Sequence, residues 1–184
     1  MSPDEYCQQK AAQSGSSFYY SFLFLPVERR KAITALYAFC REVDDTVDDC
    51  TDENVARTKL VWWRKEVKSM YEGNPTHPVM RALEPHLAVY KLEEKHLQAI
   101  IDGMEMDLNQ TRYLDYQAMS RYCWHVASVV GILSASIFWR DPPGNLAVRR
   151  ETGPCLPADQ YHPRRGRRCA QGSHLPADQR IAAI

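Results

Sequence analysis

Between Val27 and Cys50 the apolar residues Ala32, Leu36, Phe39, Cys40, Val43 and Val47 recur at three- and four-residue steps. Wound as an α-helix, the segment gathers them on one face, and this constrains the chain more than any other feature. Pro26 suits the first turn of that helix, where a missing N–H costs nothing. The same period returns from Glu53 to Tyr71 through Leu60, Val61, Trp63, Val67 and Met70, and Gly73-Asn74-Pro75 stops it. Further helices are expected over His77 to Tyr90, from Glu93 towards Leu108, and from near Asp115 through Tyr122, Val126, Val129, Val130, Leu133 and Ile137. No segment alternates apolar and polar residues as a half-buried strand does, so the predicted class is all-α, a helical bundle.

The periodicity stops at Phe138. Six of the eleven prolines and eight arginines, with no lysine and four acids, lie between Trp139 and Ile184, whereas residues 1–138 carry 15 Lys/Arg against 19 Asp/Glu. A proline- and arginine-rich tail with few core-forming residues reads as disordered, which divides the chain into a domain portion, 1–138, and a tail, 139–184. The formal net charge of the 184 residues is +0, which argues against nucleic acid as the main partner. The six cysteines form no C-x-x-C pair, so neither a disulfide framework nor structural zinc is expected, and a reducing cytosol suits them. The polar opening MSPDEYCQQK is not an export signal, and no apolar run is read as approaching the roughly 20 residues that cross a bilayer. Cytoplasmic residence is the expectation, with peripheral contact at the inner membrane compatible with it.

The densest chemical signal is Arg41-Glu-Val-Asp44-Asp45-Thr-Val-Asp48-Asp49. Asp44 and Asp48 are four residues apart, as are Asp45 and Asp49, so on a helix each pair stands one turn apart on one face. Like charges at that spacing repel, and a hard divalent cation removes the penalty. Mg²⁺ takes oxygen ligands and is commonly held by one or two carboxylates plus substrate phosphates; Mn²⁺ is an alternative ion. A solvated acidic face near a helix C-terminus has the same spacing. Arg41, one turn earlier, could equally be an ordinary helix ion pair to Asp45.

Four blocks, SGSSFYYSFLFLP (14–26), ALYAFCREVDDTVDD (35–49), GMEMDL (103–108) and RYCWHVASVVG (121–131), together resemble the squalene/phytoene synthase family in order and spacing. The opening MSPDEYCQQKAAQSGSSFYYSF is most similar to the bacterial hopanoid-pathway branch that makes presqualene diphosphate; phytoene synthases are the close alternative. The resemblance implies an isoprenoid-synthase-type helical bundle that joins two farnesyl diphosphates head to head. It implies that Asp44 and Asp48 hold Mg²⁺ and through it a diphosphate, which Arg41 steadies. By the same resemblance Ser16 and Ser17 contact phosphate, although the residues alone read as helix caps or loop. Tyr37 and Tyr122 would present π-faces to the reactive carbons; without the resemblance both read as core. Phe18, Phe22, Val126, Val130, Gly131 and Leu133 would line or flank the prenyl channel, where each buried CH₂ contributes about 0.8 kcal/mol. Asp107 is assigned a supporting polar role. Ser128 stands where the family usually has glycine, so packing near it is expected to differ, while Cys123, Trp124 and His125 read as structural.

The family's second aspartate-rich motif has no counterpart in the tail, which offers Tyr161-His-Pro-Arg-Arg-Gly-Arg-Arg168 instead. Shifted by one nucleotide, the codons of Arg149 to Gln160 permit AEKLGLAFQLT, and those of Asp159 to Asp178 permit TNIIRDVGEDARKGRIYLP. These strings resemble the family's continuation, with DVGED as its second motif. The implied frameshift lies close to Phe138-Trp139. The competing reading, a non-catalytic helical binding module whose basic tail touches nucleic acid or anionic membrane, gives the hidden frame no reason to exist.

Overall fold

Ser2 starts the first helix. Its Oγ accepts from the Glu5 backbone N–H at 3.2 Å while Glu5 Oε2 accepts from the Ser2 N–H at 2.7 Å, a reciprocal cap, and Pro3 follows at the first helical position. The computed structural model describes residues 1–109 and 115–139. Among them the regular elements are helices: α1 Pro3–Gln13, α2 Ser17–Phe22, α3 Val27–Asp48, α4 Glu53–Tyr71, α5 Pro78–Tyr90, α6 Glu94–Asn109, α7 Tyr116–Cys123 and α8 Val129–Trp139. A single π-turn, Trp124–Ser128, joins α7 to α8. Pro26 stands at the N-cap of α3, one residue ahead of the expected first turn.

Helix α3 is the central element and packs against α1, α4, α5, α6 and α8. Ala32, Ala35 and Ala38 are fully buried on it and let neighbours come close, while Leu36, Phe39 and Val43 fill the space between them. Trp63 on α4 rests edge-on against Phe39 and donates its indole N–H to Thr46 Oγ1 at 3.2 Å. The α4–α5 connection is tied by Glu66, a buried carboxylate that accepts from the backbone N–H groups of Thr76 (2.6 Å) and His77 (2.5 Å) and from Thr76 Oγ1 (2.9 Å). Three donors offset the cost of burying that charge. Arg64 clamps α4 to α6 through Asp102 and Glu105.

Helix α6 meets the π-turn at Gly103. A Cβ there would stand 2.8 Å from Val126 Cγ1 and 3.0 Å from His125 Cβ, closer than carbon atoms pack. Glycine therefore sets the spacing between α6 and the α7–α8 run.

That run corrects one expectation. Residues Tyr116–Trp139 form 24 continuous helical residues whose most apolar stretch has mean hydropathy 1.4, enough by length and composition to cross a membrane. Serines and a glycine interspersed among the apolar residues hid this from an inspection for unbroken apolar runs. Its buried residues are Val129, Leu133 and Ile137, one stripe at four-residue steps. The expectation of a disordered tail concerns residues 139–184, of which 140–184 lie outside the described residues.

Candidate functional site

Tyr37, Arg41, Asp44 and Asp48 follow one another along α3 at steps of four, three and four, so they share one face of the central helix. Asp48 is the last residue of α3 and Asp49 its C-cap, which puts carboxylates at the negative end of the helix dipole, where cations are favoured. Arg41 donates to Asp44 Oδ2 and to Asp45 Oδ1, both at 2.6 Å. The ordinary ion pair to Asp45 and the contact to Asp44 thus coexist.

A second cation comes from α1. Lys10 Nζ lies 2.9 Å from Asp45 Oδ2 and 3.2 Å from Glu42 Oε1, and Tyr6 donates its hydroxyl to Glu42 Oε1 at 2.6 Å. Burial works to lower the Lys10 pKa, but its bonds to Asp45 and Glu42 outweigh it and leave the pKa raised. Burial, with help from Glu42, pushes the Tyr6 hydroxyl up to about 12, so it stays a donor. Lys10 and Tyr6 escape a reading of apolar periods because α1 buries only Cys7 and Ala11. The signal for that helix is Ser2-Pro-Asp-Glu5, a capping-box pattern in the sequence itself.

These contacts separate the aspartates. Asp45 is turned towards α1 and held by two cations, while Asp44 and Asp48 share the face that carries Tyr37 and Arg41. Among the described residues the acids Glu42, Asp44, Asp45, Asp48 and Asp49 cluster towards the end of α3, with Arg41 and Lys10 paired into the cluster.

Tyr37 is half-buried, rests edge-on against Phe22 at 5.8 Å between ring centres, and donates its hydroxyl to Ser14 Oγ at 3.0 Å. This fixes α2 and the loop before it against the α3 face. Ser16 caps α2 by accepting from the Phe18 N–H at 3.3 Å, and Ser17 is exposed at its first position. Phe22 is core, whereas Phe18 is 65% exposed. Tyr122 donates to Asp107 Oδ2 at 3.0 Å and so joins α7 to α6. Val126 packs from the π-turn against Gly103, and Val130 is half-buried beside the core. Gly131 is exposed, with open space where a Cβ would sit, so close packing is not what places a glycine there. Ser128 lies in the π-turn. Of the structural trio, Cys123 and His125 are half-buried and Trp124 is 44% exposed.

Comparison with known proteins identifies the family to which these helices belong. Residues 11–156 match the sequence profile of the squalene/phytoene synthases. The phytoene synthase of Arthrospira platensis is 32% identical over 139 residues, covering 76% of this chain and 45% of that protein. Phytoene synthase 1 of the Arabidopsis thaliana chloroplast is 32% identical over 136 residues, 74% of this chain and 32% of its own. Among solved structures, the squalene synthase HpnC of Alicyclobacillus acidocaldarius superposes with a TM-score of 0.68 at 27% identity, over 74% of this chain and 51% of that one. A dehydrosqualene synthase in complex with ligand superposes with a TM-score of 0.66 at 25% identity, over 73% and 47%. The chain spans about half the length, or less, of these relatives. With its sequence matched over most of its length and its helices superposing on theirs, the chain belongs to the squalene/phytoene synthase family.

Proposed function

We propose that the chain is the front portion of a head-to-head prenyltransferase that joins two farnesyl diphosphates into presqualene diphosphate. The observation that carries this is the single α3 face bearing Tyr37, Arg41, Asp44 and Asp48. Two carboxylates one turn apart, next to a guanidinium, form an incomplete cage, and among the described residues no group of three or more His, Cys, Asp or Glu is arranged around one metal position. That donor set suits Mg²⁺, or Mn²⁺, shared with a substrate diphosphate better than an ion held by protein alone. When bound, such an ion would neutralise the diphosphate and aid its departure. Asp44 and Asp48 would hold it, Arg41 would orient the phosphate oxygens, and Tyr37 and Tyr122 would offer their ring faces to positive charge on carbon. One diphosphate leaves, the double bond of the second substrate attacks the resulting carbon, and loss of a proton closes the cyclopropane.

The relatives favour a second reading. Those with 30% identity or more are named phytoene synthases, which points to two geranylgeranyl diphosphates instead. The frameshift near Phe138-Trp139 is part of the proposal. The printed frame matches the family up to residue 156, past that junction, and what supports the frameshift is that the shifted codons permit DVGED further on. A cytosolic setting with peripheral membrane contact completes the proposal.

The test is a pair of proteins, the 184-residue chain and a version with the shifted frame restored, each incubated with radiolabelled farnesyl or geranylgeranyl diphosphate and Mg²⁺. Presqualene diphosphate from the restored protein, and little or none from the chain, is expected. Phytoene would select the second reading, and no product from either substrate would sink both.

A further inference from the structure

One of the cations at the aspartate-rich end of α3 is delivered by another helix. Lys10 Nζ, on α1, lies 2.9 Å from Asp45 Oδ2. Arg41 donates to the other oxygen of that carboxylate, Asp45 Oδ1, at 2.6 Å, and through its second amino group to Asp44 Oδ2, also at 2.6 Å. The side chains thus form a row, Lys10–Asp45–Arg41–Asp44, in which every link joins opposite charges. Lys10 is itself held in place, because Glu42 Oε1 lies 3.2 Å from its Nζ and takes the Tyr6 hydroxyl at 2.6 Å. An isolated ion pair in water fixes little, but the side chains of this row are only 23–28% exposed, and charge-assisted hydrogen bonds in such a network set geometry.

What the row does follows from Asp45. One cation engages each of its oxygens, so it serves as a strut between α1 and Arg41. Without Lys10, Asp45 would lose its ammonium partner while standing one residue from Asp44 and three from Asp48. Its carboxylate would then compete with Asp44 for Arg41 and repel an incoming diphosphate.

The geometry points to Lys10 as a positioning residue of the diphosphate site: it holds Asp45 on the α1 side, so that Arg41 stays bridged to Asp44 and aimed at phosphate oxygens. Lys10 stands one position ahead of the stretch matched to the family, residues 11–156, and its assignment comes from the contacts of α1. The inference rests on the reading of Asp44 and Asp48 as ligands of a divalent ion, and adds to it a residue on a different helix that acts through Asp45.

The experiment titrates the full 184-residue chain calorimetrically with inorganic pyrophosphate in the presence of Mg²⁺, and follows folding by circular dichroism. Lys10→Met is expected to weaken binding about tenfold or more with the helical signal intact, as loss of an outer partner of a metal site does. Lys10→Arg, which keeps the charge and the donors, should recover most of the loss. Lys31 on α3 also pairs with α1, 3.2 Å from Asp4, so Lys31→Met measures what loosening α1 does by itself, and it should leave binding unchanged. In a chain carrying Asp45→Asn, adding Lys10→Met should weaken binding no further. Lys10→Gln replaces Lys10→Met, with the same expected loss, if the methionine variant lacks the helical signal. Three results would overturn the inference: undiminished binding in the neutral Lys10 variant, an equal loss from Lys31→Met, or a loss from Lys10→Met that persists in full beside Asp45→Asn. Binding that Asp44→Asn abolishes and the neutral Lys10 variant retains sinks this inference alone, whereas no Mg²⁺-dependent binding by the unaltered chain sinks the ion site and the inference with it.

Discussion

Helix α3 and the Tyr116–Trp139 run are similar in length, 22 and 24 residues, yet their side chains are distributed oppositely. α3 separates a buried apolar stripe from an acidic, half-exposed face, and its stripe packs against α1, α4, α5, α6 and α8. The later run carries apolar residues on several sides of its α8 part and buries the stripe Val129, Leu133 and Ile137. Helical periodicity is a record of how many sides a helix buries. One covered side gives α3 a clean repeat, and apolar residues on several sides of α8 blur it.

Truncating the centre of α3 should cost most. Phe39→Ala, at a fully buried ring against Trp63, is expected to lower unfolding free energy by about 3–5 kcal/mol in a urea titration. A loss under about 1 kcal/mol would mean that α3 is not the organising helix. Within the later run the two sides should respond differently. Ile137→Ala is expected to cost about 2–5 kcal/mol, and Ile132→Lys to stay within about 0.5 kcal/mol while raising solubility. Equal costs would erase the distinction between covered and uncovered sides.

Gly103→Ala tests the junction between the regions. The added Cβ meets Val126 and His125, and a cost of about 1–3 kcal/mol is expected. Adding Val126→Ala should recover part of it; strict additivity of the two variants would show that the contact does not set the spacing.

The smallest effect is that of pH on the first region. Burial lowers the pKa values of His77 and His86 below their ordinary 6.5, so the folded chain holds both neutral while the unfolded chain takes up protons first. Their contribution is complete above pH 6.5 and is lost as pH falls through that value towards the folded-state pKa values. Thermal melts should show the midpoint declining from pH 7.5 to 5.5, and His86→Gln should flatten that decline. A midpoint unchanged between the two would contradict it.

The sequence made α3 legible because Ala32, Leu36, Phe39 and Val43 repeat with the helix and prove buried, while Cys40 and Val47 are half-buried on the edge of the same stripe. It left α1 unread because that helix owes its start to a cap and not to an apolar face, and Lys10 went unnoticed with it. Ser16 shows the limit of a motif, since its residue type suits both a phosphate contact and a helix cap, and here its hydroxyl caps α2. The π-turn has no signature of its own. One extra residue per turn re-aims Val126 towards Gly103, a consequence of packing between segments over twenty residues apart, which local pattern does not encode.

The central claim is that the α3 face binds a diphosphate through a divalent ion, and calorimetric titration of the chain with inorganic pyrophosphate, with and without Mg²⁺, tests it most directly. Binding that requires Mg²⁺ and weakens about tenfold or more in both Asp44→Asn and Asp48→Asn, with the folded state intact, is the predicted result. Binding indifferent to Mg²⁺, or unchanged in those variants, would contradict the account.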